Sequence, residues 1–123
     1  YVDNEGSQTI SEFDLDGDTI SVTINLGFKP GYAAYYTPKN ELWVSDATNG
    51  KVVYYTKQTG NWTKTGEITT GADAHAIAFT AEGSKAFVTN QGAGTVSVIN
   101  PVTHQVTKTI AVGSKPNGIV LKQ

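Results

Sequence analysis

The chain contains no cysteine, no methionine and no arginine. Without cysteine there is no disulfide, no thiolate metal site, no cysteine nucleophile and no C-x-x-C-H haem attachment. Without methionine, the chain is expected to be a processed product, an excised fragment or the ordered part of something longer. Its nine basic residues are all lysines, scattered without a basic run, and the net charge is -2. Nucleic-acid binding needs a basic stripe and favours arginine, so nucleic acid is discounted as a partner. No apolar run approaches membrane-spanning length and no signal-peptide pattern opens the chain. No segment keeps a 3.6-residue hydrophobic period, so almost no helix is expected.

What remains is a β-rich, Thr- and Gly-rich sequence. Hydrophobic residues make up 38% and charged residues 16% of 123 positions, which allows one packed domain and excludes wholesale disorder. The stretch "AFVTNQGAGTVSVIN" sets two apolar runs around a small polar loop and predicts a tight antiparallel hairpin. Related segments start at Val2 ("VDNEGSQTISEFD"), Val44 ("VSDATNGKVVYYT") and Val88 ("VTNQGAGTVSVIN"), spaced 42 and 44 residues apart. Each hairpin is followed by a Thr-rich strand ending at Gly27, Gly71 or Gly113, then a short turn and a final strand. A period in the low forties with four short strands per unit is the signature of a propeller or solenoid. The units are approximately 1–41, 42–85 and 86–123.

The strands that follow the turns are apolar on successive residues: Ala33-Ala34-Tyr35-Tyr36, Ala76-Ile77-Ala78-Phe79 and Gly118-Ile119-Val120-Leu121. Such strands are expected to be buried on both faces, as the innermost strand of a propeller blade. The Thr-rich strands alternate, as in Val106, Lys108 and Ile110 against Thr107, Thr109 and Ala111, which suits one wet face.

The stretch "FVTNQGAGTVSVINPVTHQVTKTIAVGSKPNGIVL" resembles the YVTN-type β-propeller repeat of many bacterial and archaeal envelope and surface proteins. The resemblance is closest over 86–121, degenerate over 42–85 and weakest over 1–41, where Tyr1-Val2-Asp3-Asn4 keeps the motif's outline. It implies an all-β fold of four-stranded antiparallel propeller blades, three blade-equivalents in all. It implies no particular activity, since propellers host many functions.

Closed propellers typically have about four to eight blades. Three units form an open arc or half of a six-bladed ring, with apolar faces and an apolar edge left exposed. The expected partner is therefore the chain itself, as a homodimer that closes a ring or a head-to-tail filament, or else further blades of a longer chain.

Few residues carry candidate chemistry. Asp14, Asp16 and Asp18 of "DLDGD" form an oxygen-rich loop suited to calcium, the one cofactor considered; the alternative is an ordinary hairpin turn. Gly31, His75 and Asn117 occupy equivalent places before the innermost strands, at the expected mouth of the channel, and are the candidate ligand-binding positions. Asp73 and His75 lack an activated nucleophile, and no G-x-S-x-G elbow occurs, so no catalytic residue is assigned. His104 reads as plain loop. Asn61-Trp62-Thr63 is a glycosylation sequon. Trp43, Trp62, Tyr35, Tyr36, Tyr54 and Tyr55 are expected to pack blade against blade rather than form a binding surface. The expected function is a non-enzymatic scaffold or interaction module that is extracellular, on the cell surface or periplasmic. The alternative is a ligand-binding or hydrolytic propeller with its site at the channel mouth.

Overall fold

Among the described residues eleven strands follow one another, and every sheet pairs them in chain order. The computed structural model describes residues 1–122. Strands β1 (Val2–Asn4), β2 (Thr9–Asp14) and β3 (Thr19–Asn25) form a three-stranded antiparallel sheet. Strands β4 (Pro30–Tyr36), β5 (Glu41–Asp46), β6 (Lys51–Gln58) and β7 (Asn61–Thr69) form the second sheet. Strands β8 (Ala74–Phe79), β9 (Ala86–Asn90), β10 (Thr95–Asn100) and β11 (Gln105–Ala111) form the third. The only helical element among the described residues is a 3-10 turn at Thr37–Lys39. The fold is all-β, and the sheets are β-propeller blades. Each sheet of four begins one strand before the hairpin that marks its unit in the sequence.

Two apolar layers hold the blades together. Ile10, Ile24, Leu42, Val44, Val53 and Tyr55 pack between the first and second blades. Tyr36, Trp43, Val52, Ile68, Ile77, Val88 and Ile99 pack between the second and third. The pleat of β5 explains the division: Leu42 and Val44 face one neighbour and Trp43 the other. All six residues of β5 are buried as a result.

The expectation for the innermost strands holds in part for β8, where Ala76 and Ile77 are both buried, and fails for the others; two-sided burial is complete in β5, the strand sandwiched between blades. In β4, only Pro30 and Tyr36 are buried, while Tyr32 and Tyr35 are exposed. Residues 118–121 adopt no strand at all. The expected one-sided burial of β11 also fails: every residue in it is exposed, because no further blade covers it here.

The repeat extends below the level of strands. A register shift falls at Glu12/Phe13, Tyr54/Tyr55 and Val98/Ile99, spaced by the same 42 and 44 residues as the hairpins. Such a bulge locally increases strand twist, so each blade turns at the same point. The Asn of the hairpin motif also has a physical task. Asn4 Nδ2 donates to Thr9 Oγ1 and Ser11 Oγ at 3.2 and 2.9 Å. Asn90 Nδ2 donates to Thr95 Oγ1 and Ser97 Oγ, both at 3.0 Å. One amide thus clamps the hairpin twice. In the second blade Asp46 substitutes by accepting the Asn49 backbone and side-chain N–H groups at 3.2 and 2.7 Å.

Each blade junction is fastened by a carboxylate that accepts from an indole and a cationic or imidazole donor. Between the first and second blades, Glu12 accepts from Trp62 Nε1 at 2.6 Å and from Lys57 Nζ at 2.7 Å. Between the second and third, Glu41 Oε2 accepts from Trp43 Nε1 at 2.9 Å and lies 2.9 Å from His104 Nε2.

Glu12 gives a pH prediction. Desolvation pushes its pKa up, but the donors Lys57 and Trp62 outweigh it, and the net value lies below the ordinary 4.5. A carboxyl held lower in the folded than in the unfolded state stabilises above its unfolded value, and that stabilisation is lost as pH falls through the folded value. Glu12→Gln should therefore lower stability at neutral pH and flatten the loss on acidification. Urea midpoints between neutral pH and about pH 3 test this; parallel acid profiles for the two proteins would refute it.

Candidate functional site

The first residues of β4 and β8, with the turns that lead into them, carry the positions that the repeat places at the channel mouth. Lys29 and Gly31 of the second blade meet Asp73 and His75 of the third, with Asp3 and Glu5 of the first closing the rim. Together they line a cleft of about 270 Å³. Gly31 is small for a reason that the geometry shows. A Cβ there would stand 3.0 Å from Ser45 Oγ, a tight approach, and 3.5 Å from His75 Cδ2, in ordinary contact with the imidazole. His75 Nδ1 is buried without a hydrogen-bond partner among the described residues.

Gly31 and His75 are thus brought together, and Asn117 is not among the residues lining their cleft. Its backbone oxygen accepts from Thr89 Oγ1 at 3.2 Å, and its Oδ1 accepts from Gln91 Nε2 at 3.1 Å. Asn117 stands against the third blade, at the start of what the repeat would make the next innermost strand. The cleft offers three carboxylates, one ammonium and one imidazole. That set can hold a small polar, amine-bearing ligand.

The other candidates have structural tasks. Asp14 Oδ1 accepts the Asp16 amide at 3.0 Å, as Asn100 Oδ1 accepts the Val102 amide at 2.9 Å in the equivalent turn of the third blade. Asp18, at φ 52°, takes the left-handed position that His104, at φ 58°, takes there. No group of three or more His, Asp or Glu side chains placed to hold a metal occurs among the described residues. Asn61 is exposed at the start of β7, so its sequon is accessible.

The aromatic residues mostly cross blade junctions. Trp43 is fully buried and meets Phe79 edge to face at 5.0 Å between ring centroids. Tyr35 is partly exposed and stacks on Tyr1 at 5.8 Å.

The sequence reading missed His104. It reaches out of its hairpin turn to Glu41 and lies flat on Tyr54, with centroids 3.9 Å apart and planes within 2°. Its partner is 63 residues away in the sequence, and no local pattern marks it.

A second surface has the form of an unfinished blade. Strand β1 pairs only with β2, so its other edge is open. The inner strands of the complete blades show what belongs there. Ala33 pairs with Val44 and Ala34 with Trp43, while Ile77 pairs with Val88 and Ala78 with Phe87. The repeat-equivalent inner segment is Gly118–Leu121, which is unpaired here, with Val120 91% exposed.

No family model matches the chain. Over 49 residues it is 47% identical to the PE-PGRS family protein PE_PGRS18 of Mycobacterium tuberculosis, covering 40% of this chain and 10% of that protein. Among solved structures, it superposes on a protein of unknown function from Desulfotomaculum acetoxidans with a TM-score of 0.81 and 16% identity, over 96% of this chain and 38% of that one. A Bacteroides fragilis protein provisionally assigned as a 6-phosphogluconolactonase matches with a TM-score of 0.77 and 19% identity, over 94% and 36% of the two chains. The hydrazine synthase of Kuenenia stuttgartiensis matches with a TM-score of 0.63 and 28% identity, over 72% and 25%. The chain therefore spans about a tenth of the curated relative and a quarter to two fifths of these structures.

Proposed function

We propose that the chain is a non-enzymatic interaction module built from YVTN-type blades, working outside the cytoplasm, whose partner is a second copy of itself. One observation carries the reading: an open β1 edge and an unpaired inner-strand segment of matching repeat position occur in the same molecule. Applying the register of the complete blades sets Ile119 of one copy opposite Val2 of the other, and Val120 opposite Tyr1. Tyr1 and Val2 are 46% and 48% exposed, so apolar surface is available for burial on both sides. Two such exchanges join three blades to three and close a ring of six. The low charge content and Thr-, Gly- and Asn-rich surface suit an exported protein.

Light scattering after size exclusion tests this. A mass near twice 13.1 kDa is expected for the unmodified chain, and a monomer for Val120→Asp, which puts a charge into the proposed pairing. A wild-type monomer at all concentrations would refute self-completion. A ladder of higher masses would replace the closed ring with a filament.

The second reading is a ligand-binding propeller with its site at the channel mouth. The unpartnered His75 Nδ1 beside the cleft favours it, and so does the fold shared with the 6-phosphogluconolactonase-like protein. The mix of three carboxylates with Lys29 and His75 indicates a small polar ligand bound without covalent chemistry.

A further inference from the structure

Two asparagines in the chain precede a glycine, Asn49 and Asn117. Glycine after asparagine removes the side chain that would shield its own amide nitrogen, so the backbone can turn that nitrogen onto the asparagine carboxamide. The two sites differ in everything else.

Asn49 is held. Its backbone N–H and its Nδ2 both donate to Asp46, at 3.2 and 2.7 Å, and Asp46 is 1% exposed. The Gly50 N–H donates to the Ala47 oxygen at 3.3 Å, and the Gly50 oxygen accepts from the Thr70 N–H at 3.0 Å. Gly50 sits at φ 63° with the Gly71 oxygen 2.9 Å from where a Cβ would be. Turning the Gly50 nitrogen onto the Asn49 side chain means breaking this turn.

Asn117 is open. It lies outside any strand and is exposed, as is Gly118. A Cβ on Gly118 would meet nothing within 4 Å, so the backbone there has room to rotate. Two hydrogen bonds reach Asn117 among the described residues: Thr89 Oγ1 donates to its backbone oxygen at 3.2 Å, and Gln91 Nε2 donates to its side-chain Oδ1 at 3.1 Å. Donation to that oxygen draws electrons from Cγ and leaves the carboxamide nitrogen free to depart.

We propose that Asn117 is a site of spontaneous covalent modification that yields isoaspartate, and that Asn49 is protected from it by its turn. The Gly118 amide nitrogen, as it loses its proton, bonds to Asn117 Cγ. The Cγ–Nδ2 bond breaks, and ammonia leaves with that proton. The resulting cyclic imide adds one water. Opening at Cγ gives aspartate; opening at the backbone carbonyl gives isoaspartate, with the chain routed through the former side chain. No oxidation or reduction occurs, and solvent water is the only co-reactant.

The reactivity stands on this geometry alone; its consequence for assembly rests on the blade-completion reading. Isoaspartate adds a methylene to the backbone and a carboxylate where the donated strand begins. The register of residues 118–121 against β1 of a partner is thereby lost.

The test incubates the full chain at mildly alkaline pH and maps the two Asn–Gly sites by peptide mass spectrometry, with wild type, Val120→Asp and Gly118→Val in parallel. In Val120→Asp, where strand pairing is disfavoured, conversion at Asn117 should exceed that at Asn49 by at least about tenfold, the order of protection a closed local structure gives. Gly118→Val, at a position where a Cβ meets nothing within 4 Å, should abolish conversion at Asn117 by covering the attacking nitrogen. Equal rates at the two asparagines in Val120→Asp, or undiminished conversion in Gly118→Val, would overturn the inference whatever the mass of the particles. Slower conversion in wild type than in Val120→Asp would support it and show that pairing shields the site. Self-completion is judged separately, by light scattering on the same samples.

Discussion

Trp43→Ala should destabilise the chain by about 3–5 kcal/mol, a large part of the roughly 5–15 kcal/mol that holds a typical domain together. Trp43 is the largest fully buried side chain and lies in the layer between the second and third blades. Its ring meets Tyr36, Tyr54 and Phe79, the last edge to face, and only part of that contact can be recovered by collapse. Removing the indole also takes a donor from Glu41, whose side chain is 4% exposed. Trp43→Phe separates the two effects: it keeps most of the ring but leaves the carboxylate short of one hydrogen bond, at a cost of about 1–3 kcal/mol. Urea unfolding of both variants, followed through the fluorescence of Trp62 and by circular dichroism, gives the numbers. A loss below about 1 kcal/mol for the alanine variant would mean that the blades are held apart from this layer.

His104→Ala should cost about 2–4 kcal/mol, far more than a turn residue ordinarily carries. The histidine closes the far side of Glu41, with Nε2 3.1 and 2.9 Å from the two carboxylate oxygens. Without it, that buried carboxylate keeps the Trp43 indole and a lysine, Lys39, whose Nζ is 3.8 Å away. The stacked face of Tyr54 is uncovered in the same step. The charge can be tested by itself. Glu41→Gln in the His104→Ala background removes the stranded negative charge and should restore part of the loss, so the two substitutions should be non-additive. Strict additivity would assign the histidine's role to stacking alone.

The repeat was legible because a blade writes its strands locally. The period, the hairpin at Val88 and the scarcity of helix all follow from residues within a few positions of one another. What lay between blades was less legible. Trp43 and Tyr36 were expected to pack blade against blade, and both do, against Phe79 of the third blade, because large aromatic side chains in short strands have few other places to go. His104 and Glu41 were missed, because an ordinary turn histidine and an ordinary strand glutamate acquire their roles only when two sheets meet. Two-sided burial was expected in β4, where it fails, and not in β5, where it is complete, for a related reason. Successive apolar residues mark a strand that avoids water, but small ones such as Ala33 and Ala34 are also what a crowded inner edge accepts. In β5 the sequence Glu-Leu-Trp-Val-Ser-Asp mixes polar with apolar, and its polar members are buried by partners that a linear pattern does not display.

The candidate site was legible in outline. Equivalence between units brought Gly31 and His75 to notice, and they do meet. Asn117, the corresponding position of the third unit, does not line their cleft: it bonds to Thr89 and Gln91 of its own blade, and residues 118–121 after it form no strand that would carry it to the next one. "DLDGD" drew attention through its charge, but the Asp14 carboxylate does what the Asn100 amide does in the third blade: it accepts a backbone amide two residues on.

The middle blade's place between two neighbours bears on how such a chain can drift over time. Val2, Val44 and Val88 occupy the same place in their units, yet they are 48%, 0% and 0% exposed. A change at Val44 is felt by two sheets at once; the same change at Val2 is felt by one. Corresponding places in the three units are therefore not equally tolerant: an apolar-to-polar change that Val2 can accept leaves an uncompensated polar group in a packed layer at Val44 or Val88.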